Sequence, residues 1–203
     1  MPKNDFSELG LGEQPFKVAQ SRVIIPGGSS ACLQLFDAAM NSINSWSFQV
    51  GWRPSLLDAT IEYSNEFASD LIVFHTAPVI NGRNITKEYF ALGNDRLRFI
   101  RLENDKGELA RNEYVFPNYE IGIAPDAHTV EQWSALLESK DKADVLSALV
   151  FLGGKHIDEH GESNYAALFR ELIGSPRIRG LIEHLNNSDS EWVRQAALQA
   201  AKN

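Results

Sequence analysis

From Thr129 onward apolar residues recur every three or four positions, a spacing that predicts a run of short amphipathic helices. Thr129-Val130-Glu131-Gln132 reads as a capping box, in which the Thr hydroxyl and the Gln amide each satisfy a free backbone N–H. Trp133, Leu136 and Leu137 form the apolar stripe behind it. A second helix carries Val145, Leu146, Ala148, Leu149 and Leu152 and stops at Gly153-Gly154, a C-cap signal. A third is expected over residues 164–173, with Leu168, Phe169 and Leu172 inward. Ser175-Pro176 opens a fourth, because proline at the first helical position loses no hydrogen bond. The fifth is expected over residues 190–201.

Ahead of these helices the pattern is mixed. Residues 1–20 are polar, with Gly10, Gly12 and Pro15, and read as an irregular lead-in. Arg22-Val23-Ile24-Ile25 is a short β-branched run stopped by Pro26-Gly27-Gly28-Ser29-Ser30. Leu33, Phe36, Ala39, Met40 and Ile43 then recur at helical spacing, which predicts a helix capped by Ser29 or Ser30 and ending near Asn44-Ser45. Trp46 to Trp52 alternates bulky and small residues as a half-buried strand does, and Leu71-Ile72-Val73-Phe74 reads as a buried strand. Residues 55–67 fit either a helix behind Pro54 or a strand around Thr60–Tyr63. Asn81-Gly82 signals a turn. Arg96–Glu103 and Glu108–Phe116, joined by Asn104-Asp105-Lys106-Gly107, predict a β-hairpin. Pro117 and Pro125 bracket a last extended piece and mark the change of architecture.

The helical part repeats itself. A shift of 48 positions carries Trp133 onto Leu181, Leu137 onto Leu185, Asp141 onto Asp189, Val145 onto Val193 and Ala148 onto Ala196. The second copy contains Asp189, Val193-Arg194 and Ala196-Ala197-Leu198, and resembles the turn and second helix of a HEAT repeat. The first copy has Leu146 where that arginine would stand. The resemblance covers the last third of the chain and implies antiparallel helix pairs that stack through small residues to form a protein-binding surface. Two copies and an intervening helix are fewer than a free-standing solenoid needs, so the stack is expected to lean on the preceding segment.

Composition narrows the functional classes. An apolar fraction of 43% over 203 residues supports a real core. The net charge of -8 is spread evenly: residues 1–125 carry 11 Lys+Arg against 15 Asp+Glu, and residues 126–203 carry 8 against 12. Neither half is basic, so neither nucleic acid nor an anionic membrane is an expected partner. One cysteine, Cys32, excludes an internal disulfide and a cysteine-based zinc site, and reads as a small buried hydrophobe on the helix expected there. No segment approaches the ~18 apolar residues of a membrane span or a signal peptide's apolar core, so a cytoplasmic protein is expected.

Candidate chemistry is sparse. Gly27, Gly28, Ser29 and Ser30, between a strand and an expected helix, occupy the place of an anion-binding loop, without the Gly-Lys-Ser/Thr ending of a nucleotide loop. His156 and His160 stand four apart, a spacing that on a helix could hold a metal, but Gly153-Gly154 and Gly161 make the stretch read as a solvated loop. Ser29, His75 and Asp58 share no triad signature, and His75 reads as a satisfied strand-end histidine. Arg96, Arg98, Arg101 and Arg111 are expected to pair across the hairpin with Glu103, Glu108 and Glu113. Trp133, Trp192 and Arg194 are the candidate partner-contacting residues.

The expectation is an α+β fold: a mixed strand and helix domain over residues 1–124, with a β-hairpin, and a HEAT-like helical region over 125–203. The expected function is binding of a protein partner, a basic one given the acidic charge, with a bacterial toxin-neutralising (immunity-type) role inside that class. The alternative is an enzyme or a small-anion or nucleotide binder that uses the Gly27-Gly28 loop. No catalytic residue, cofactor or metal site is expected from the motifs present.

Overall fold

A computed structural model describes residues 6–11, 14–25, 28–36, 42–49, 56–76, 85–93, 96–110, 127–158, 161–162 and 165–203. Among the described residues the fold is α+β, with two four-stranded sheets preceding five helices. The chain divides into two compact units, Met1–Leu97 with Glu103–Glu108, and Arg98–Leu102 with Leu109–Asn203. This division sets Arg98–Leu102 with the helices, ahead of the 124/125 boundary read from the sequence.

The first unit contains a meander of β1 (Phe6–Leu11), β2 (Gln14–Ile25), β3 (Gly28–Phe36) and β4 (Ser42–Gln49), all antiparallel. Two expectations fail here. The polar lead-in forms β1 and most of β2, and the helix expected over Leu33–Ile43 is replaced by β3 and the start of β4. The segment satisfies two periods at once, because Ala31, Leu33 and Leu35 also alternate. The ladder to β2, from Lys17↔Phe36 to Ile25↔Gly28, is a long-range choice that local spacing cannot reveal. Cys32 accordingly lies in a strand, opposite Ser21.

A second sheet has the order β5-β6-β7-β8, with β5 (Leu56–Ser64), β6 (Ser69–Thr76), β7 (Ile85–Gly93) and β8 (Arg96–Asn104). The ambiguous 55–67 stretch is thus a strand over β5, and its tight turn to β6 holds Ala68 at φ 50. Leu71, Ile72, Val73, Tyr89 and Phe90 are buried, so the centre of this sheet is covered on both faces. The turn after β8 closes through Asn104: its backbone N–H donates to the Glu108 carbonyl and its side-chain oxygen accepts from Lys106 and Glu108. Gly107 supplies the positive φ of 74 that this turn requires. The returning arm of the hairpin is described to Ala110, which donates to Leu102; its remainder and the Asn81-Gly82 turn lie outside the described residues.

The helices are α1 (Val130–Leu137), α2 (Lys142–Leu152), α3 (Ala166–Gly174), α4 (Pro176–Leu185) and α5 (Glu191–Ala200). The capping box at Thr129 and Gln132 is present, Pro176 opens α4, Gly153 caps α2, and Ser190 caps α5. Between α2 and α3 a two-residue β-ladder joins β9 (Ile157–Asp158) to β10 (Gly161–Glu162). Helix α1 packs on α2 and α4 on α5, while α1 also meets α4 and α2 meets α5. The 48-position offset holds for the elements: it carries residues 130–137 onto 178–185, inside α4, and 142–152 onto 190–200, which is α5 with its cap. Val145 and Val193, and Ala148 and Ala196, are equivalent and all buried.

Helix α2 sits at the centre, with Leu146, Ala148, Leu149, Phe151 and Leu152 almost wholly buried. Gly153 lets its end run close to α5: a Cβ there would lie 3.1 Å from the Leu149 carbonyl oxygen and 3.4 Å from Gln199 Cγ. Among the described residues no helix is long and apolar enough to cross a membrane.

The capping box generates a simple expectation. Thr129→Ala removes the acceptor for the Gln132 N–H and should cost about 1 kcal/mol of stability, whereas Thr129→Ser should cost less than half of that. Urea denaturation followed by circular dichroism measures both; equal losses from the two substitutions would show that the cap is not the cause.

Candidate functional site

The strand segment Arg98–Leu102 sends two arginines into the helical unit. Arg98, with its side chain only 9% exposed, donates through Nη1 to Asp141 Oδ2, and to Asp144 Oδ1 at 2.8 Å. Asp141 is at the same time the N-cap of α2, accepting from Ala143 N–H at 2.9 Å, and Asp144 also accepts from Ser139. One buried cation therefore neutralises two carboxylates that already favour the positive end of the helix dipole. Arg101, buried, lies 4.6 Å from the centre of the Trp192 ring and donates to Gln195 Oε1 at 3.0 Å. Beyond the hairpin pairing expected for them, these two arginines thus have partners on α2 and α5. Arg96 and Arg111 have no described side chains.

The sequence candidates separate on this frame. Trp133 is fully buried, donates from Nε1 to the Ala127 carbonyl at 3.0 Å and packs on Phe151 at 4.7 Å between ring centres; it is a core residue and not offered to a partner. Trp192 is partly exposed on the flank of α5. Arg194 donates to the Ser188 carbonyl at 3.1 Å and pairs with Glu191 at 3.4 Å, so it closes the turn ahead of α5 while remaining 40% exposed. The structure brings Trp192 and Arg194 onto one helix and leaves Trp133 inside.

The outer side of α5 also carries a residue that the sequence reading passed over. Val193, Ala196, Ala197 and Ala200 face the core. At ~100° per residue, Leu198 points the opposite way, beside Glu191, Arg194 and Gln195. It is 50% exposed, and Tyr63 is its one companion among the described residues as an exposed large hydrophobic. The signal was present: Leu198 is out of phase with the stripe of small residues that the repeat defined.

The anion-binding loop does not take its expected form. Gly27 lies outside the described residues, while Gly28, Ser29 and Ser30 begin β3, opposite Ile25, Ile24 and Val23. No helix follows them, so the helix N-terminus that such a site uses is missing.

Two histidines are informative. His75 Nε2 lies 2.9 Å from Thr60 Oγ1 and 3.2 Å from Glu62 Oε1, and Thr60 donates to that same oxygen. A nucleophilic relay needs the two ring nitrogens to serve different partners, and here the hydroxyl and the carboxylate share one. Lys87 closes the cluster on Glu62 at 3.1 Å. Partial burial by itself would raise the Glu62 carboxyl; the hydrogen bond and charge of Lys87, with Thr60 and His75, outweigh it and hold the group below its usual value. His156 is 1% exposed, between Phe151 and Phe169 at 4.2 and 4.4 Å, and donates from Nε2 to the Phe151 carbonyl at 2.9 Å. The expected solvated His156–His160 connection is corrected at His156, which is a core residue; His160 lies outside the described residues. Among the described residues no group of histidine, cysteine and acidic side chains is placed to hold a metal ion.

Comparison of the chain with protein-family models, with curated proteins and with solved structures finds no match in any of the three.

The arginine clamp predicts an asymmetry. Arg98→Met removes a cation from two carboxylates that can still reach water, and should cost about 1–3 kcal/mol. The double change Asp141→Asn with Asp144→Asn keeps a competent N-cap but leaves the guanidinium buried without its charges, and should cost more, about 3–5 kcal/mol. Chemical denaturation midpoints compare the two; a greater loss for Arg98→Met would contradict this account.

Proposed function

We propose that this chain is a non-enzymatic protein-binding protein whose five-helix unit is a HEAT-like stack with the outer side of α5 as its contact surface. The observation that carries the reading is Leu198: a half-exposed leucine between Arg194 and Gln195, on a helix whose opposite side is closed by alanines. Trp192 on the flank of that helix and Arg194 beside Leu198 supply an aromatic and a cation, residue types that dominate binding energy at interfaces. The recurrence of two antiparallel helix pairs at one 48-residue offset supports the HEAT-like description.

The charge of -8 favours a basic protein partner through electrostatic steering. A bacterial toxin-neutralising protein of the immunity type is the instance of this class that fits a small acidic chain, and the cytoplasm is the compartment it implies.

Affinity capture with the intact chain, followed by mass spectrometry, tests the proposal when it is run beside two variants. A stoichiometric basic partner should be retained at low salt and lost at high salt. Leu198→Asp should reduce recovery at least tenfold with the melting temperature unchanged, and Tyr63→Ser, in the first unit, should leave recovery intact. Equal recovery with Leu198→Asp would remove α5 from the interface. No stoichiometric partner, together with a rise in melting temperature on adding inorganic phosphate or ATP, would favour the anion-binding alternative.

A further inference from the structure

Helix α2 ends against a histidine. The Phe151 carbonyl accepts both from Gly154 N–H, at 3.1 Å, and from His156 Nε2, at 2.9 Å. The next carbonyls, of Leu152 and Gly154, accept from Asn203 Nδ2 at 2.7 and 3.2 Å. The imidazole ring is wedged between Phe151 of α2 and Phe169 of α3, with Tyr165 edge-on to Phe151 at 5.6 Å. At 1% exposure the ring is shut off from bulk solvent, and two phenylalanine rings lie against it.

We propose that His156 is an acid-sensitive latch: its neutral ring fastens the turn Gly153–Asp158 to the helical core, and its protonation releases that turn while α2 and α5 stay folded. Two influences oppose one another at this position. The carbonyl end of α2 attracts a cation, while burial between two phenylalanines excludes one. Burial is the larger and pushes the imidazole down to about 4, against its ordinary value of 6.5; the hydrogen bond to Phe151 only partly offsets it.

Among the described residues, the charged groups on the surrounding elements are few. Helix α2 contributes Lys142 and Asp144, both in its first turn and at its far end. Helix α3 contributes Arg170 and Glu171, both exposed. The turn itself contributes Lys155, and Tyr165 leads into α3; Asp158 and Glu162, in β9 and β10, are described for their backbone alone.

Because the closed form holds the proton less tightly than the open one, the latch is fully fastened above pH 6.5 and loosens as the pH falls toward 4. Between pH 7 and pH 5 the opening equilibrium should rise about twentyfold.

Hydrogen exchange on the intact chain at the two pH values reads this directly. The protection factor of the Gly154 amide should fall about twentyfold, while amides in the middle of α2 and α5 keep theirs. The histidine ring resonances should show His156 titrating well below 6. In His156→Gln, whose amide can still donate to Phe151 but does not titrate, the pH response of Gly154 should vanish; His156→Phe, which fills the slot, serves as the second variant. A His156 titration near 6.5, an equal loss of protection throughout α2 and α5, or a response that survives either substitution would overturn the latch. Should neither variant fold, the ring titration and the exchange pattern of the unaltered chain decide.

Discussion

A guanidinium taken out of water cannot shed its charge, so the protein must bring the opposite charge to it. Arg98 imposes that constraint on the helical unit. Its partners Asp141 and Asp144 flank the first turn of α2, and Asp141 cannot serve Arg98 without also fixing where the helix begins. Helix α2 in turn carries five almost wholly buried residues, and both α1 and α5 pack on it. Arg101, three residues further along the same strand, holds the flank of α5 through Trp192 and Gln195. A short piece of strand thus sets the start of one helix and the flank of another.

The two helix pairs repeat in position but not in environment. The sequence of α2, KADVLSALVFL, is apolar on every side beyond its first turn, as befits a helix packed all round. Its counterpart α5, EWVRQAALQA, confines small residues to one side and leaves glutamate, arginine and glutamine on the other. Leu198 is the exception on that polar side. Leu198 is half-exposed, so covering the rest of it would gain about 1 kcal/mol.

The helices were legible because their signals are local. Thr129 with Gln132, Ser175 with Pro176, and Gly153 each satisfy backbone groups within one turn of themselves, so a few adjacent residues suffice to place a boundary. The strands of the first sheet were less legible. Ala31, Leu33 and Leu35 fit a strand as well as Leu33, Phe36 and Ala39 fit a helix, and only pairing with β2 decides between them. The candidate site failed and succeeded for related reasons. Trp133 and Trp192 are the same residue type near the starts of short helices, yet one is closed over by Ala127 and Phe151 and the other meets Arg101, contacts separated by up to 91 residues of sequence. The glycines around His156 signal a turn, and a turn says nothing about which side chain it folds inward.

Polar groups and apolar surface place different demands on a fold. Among the described residues several polar clusters are engaged within it. Thr60, His75, Glu62 and Lys87 satisfy one another across three strands, Arg98 is spent on two aspartates, and His156 gives Nε2 to the end of a helix. These are networks that hold strands and helices in register. Apolar surface is the opposite case, since Leu198 has free energy still to gain from burial. That difference is why the proposed reading looks to α5, and to a second protein as the source of the missing cover.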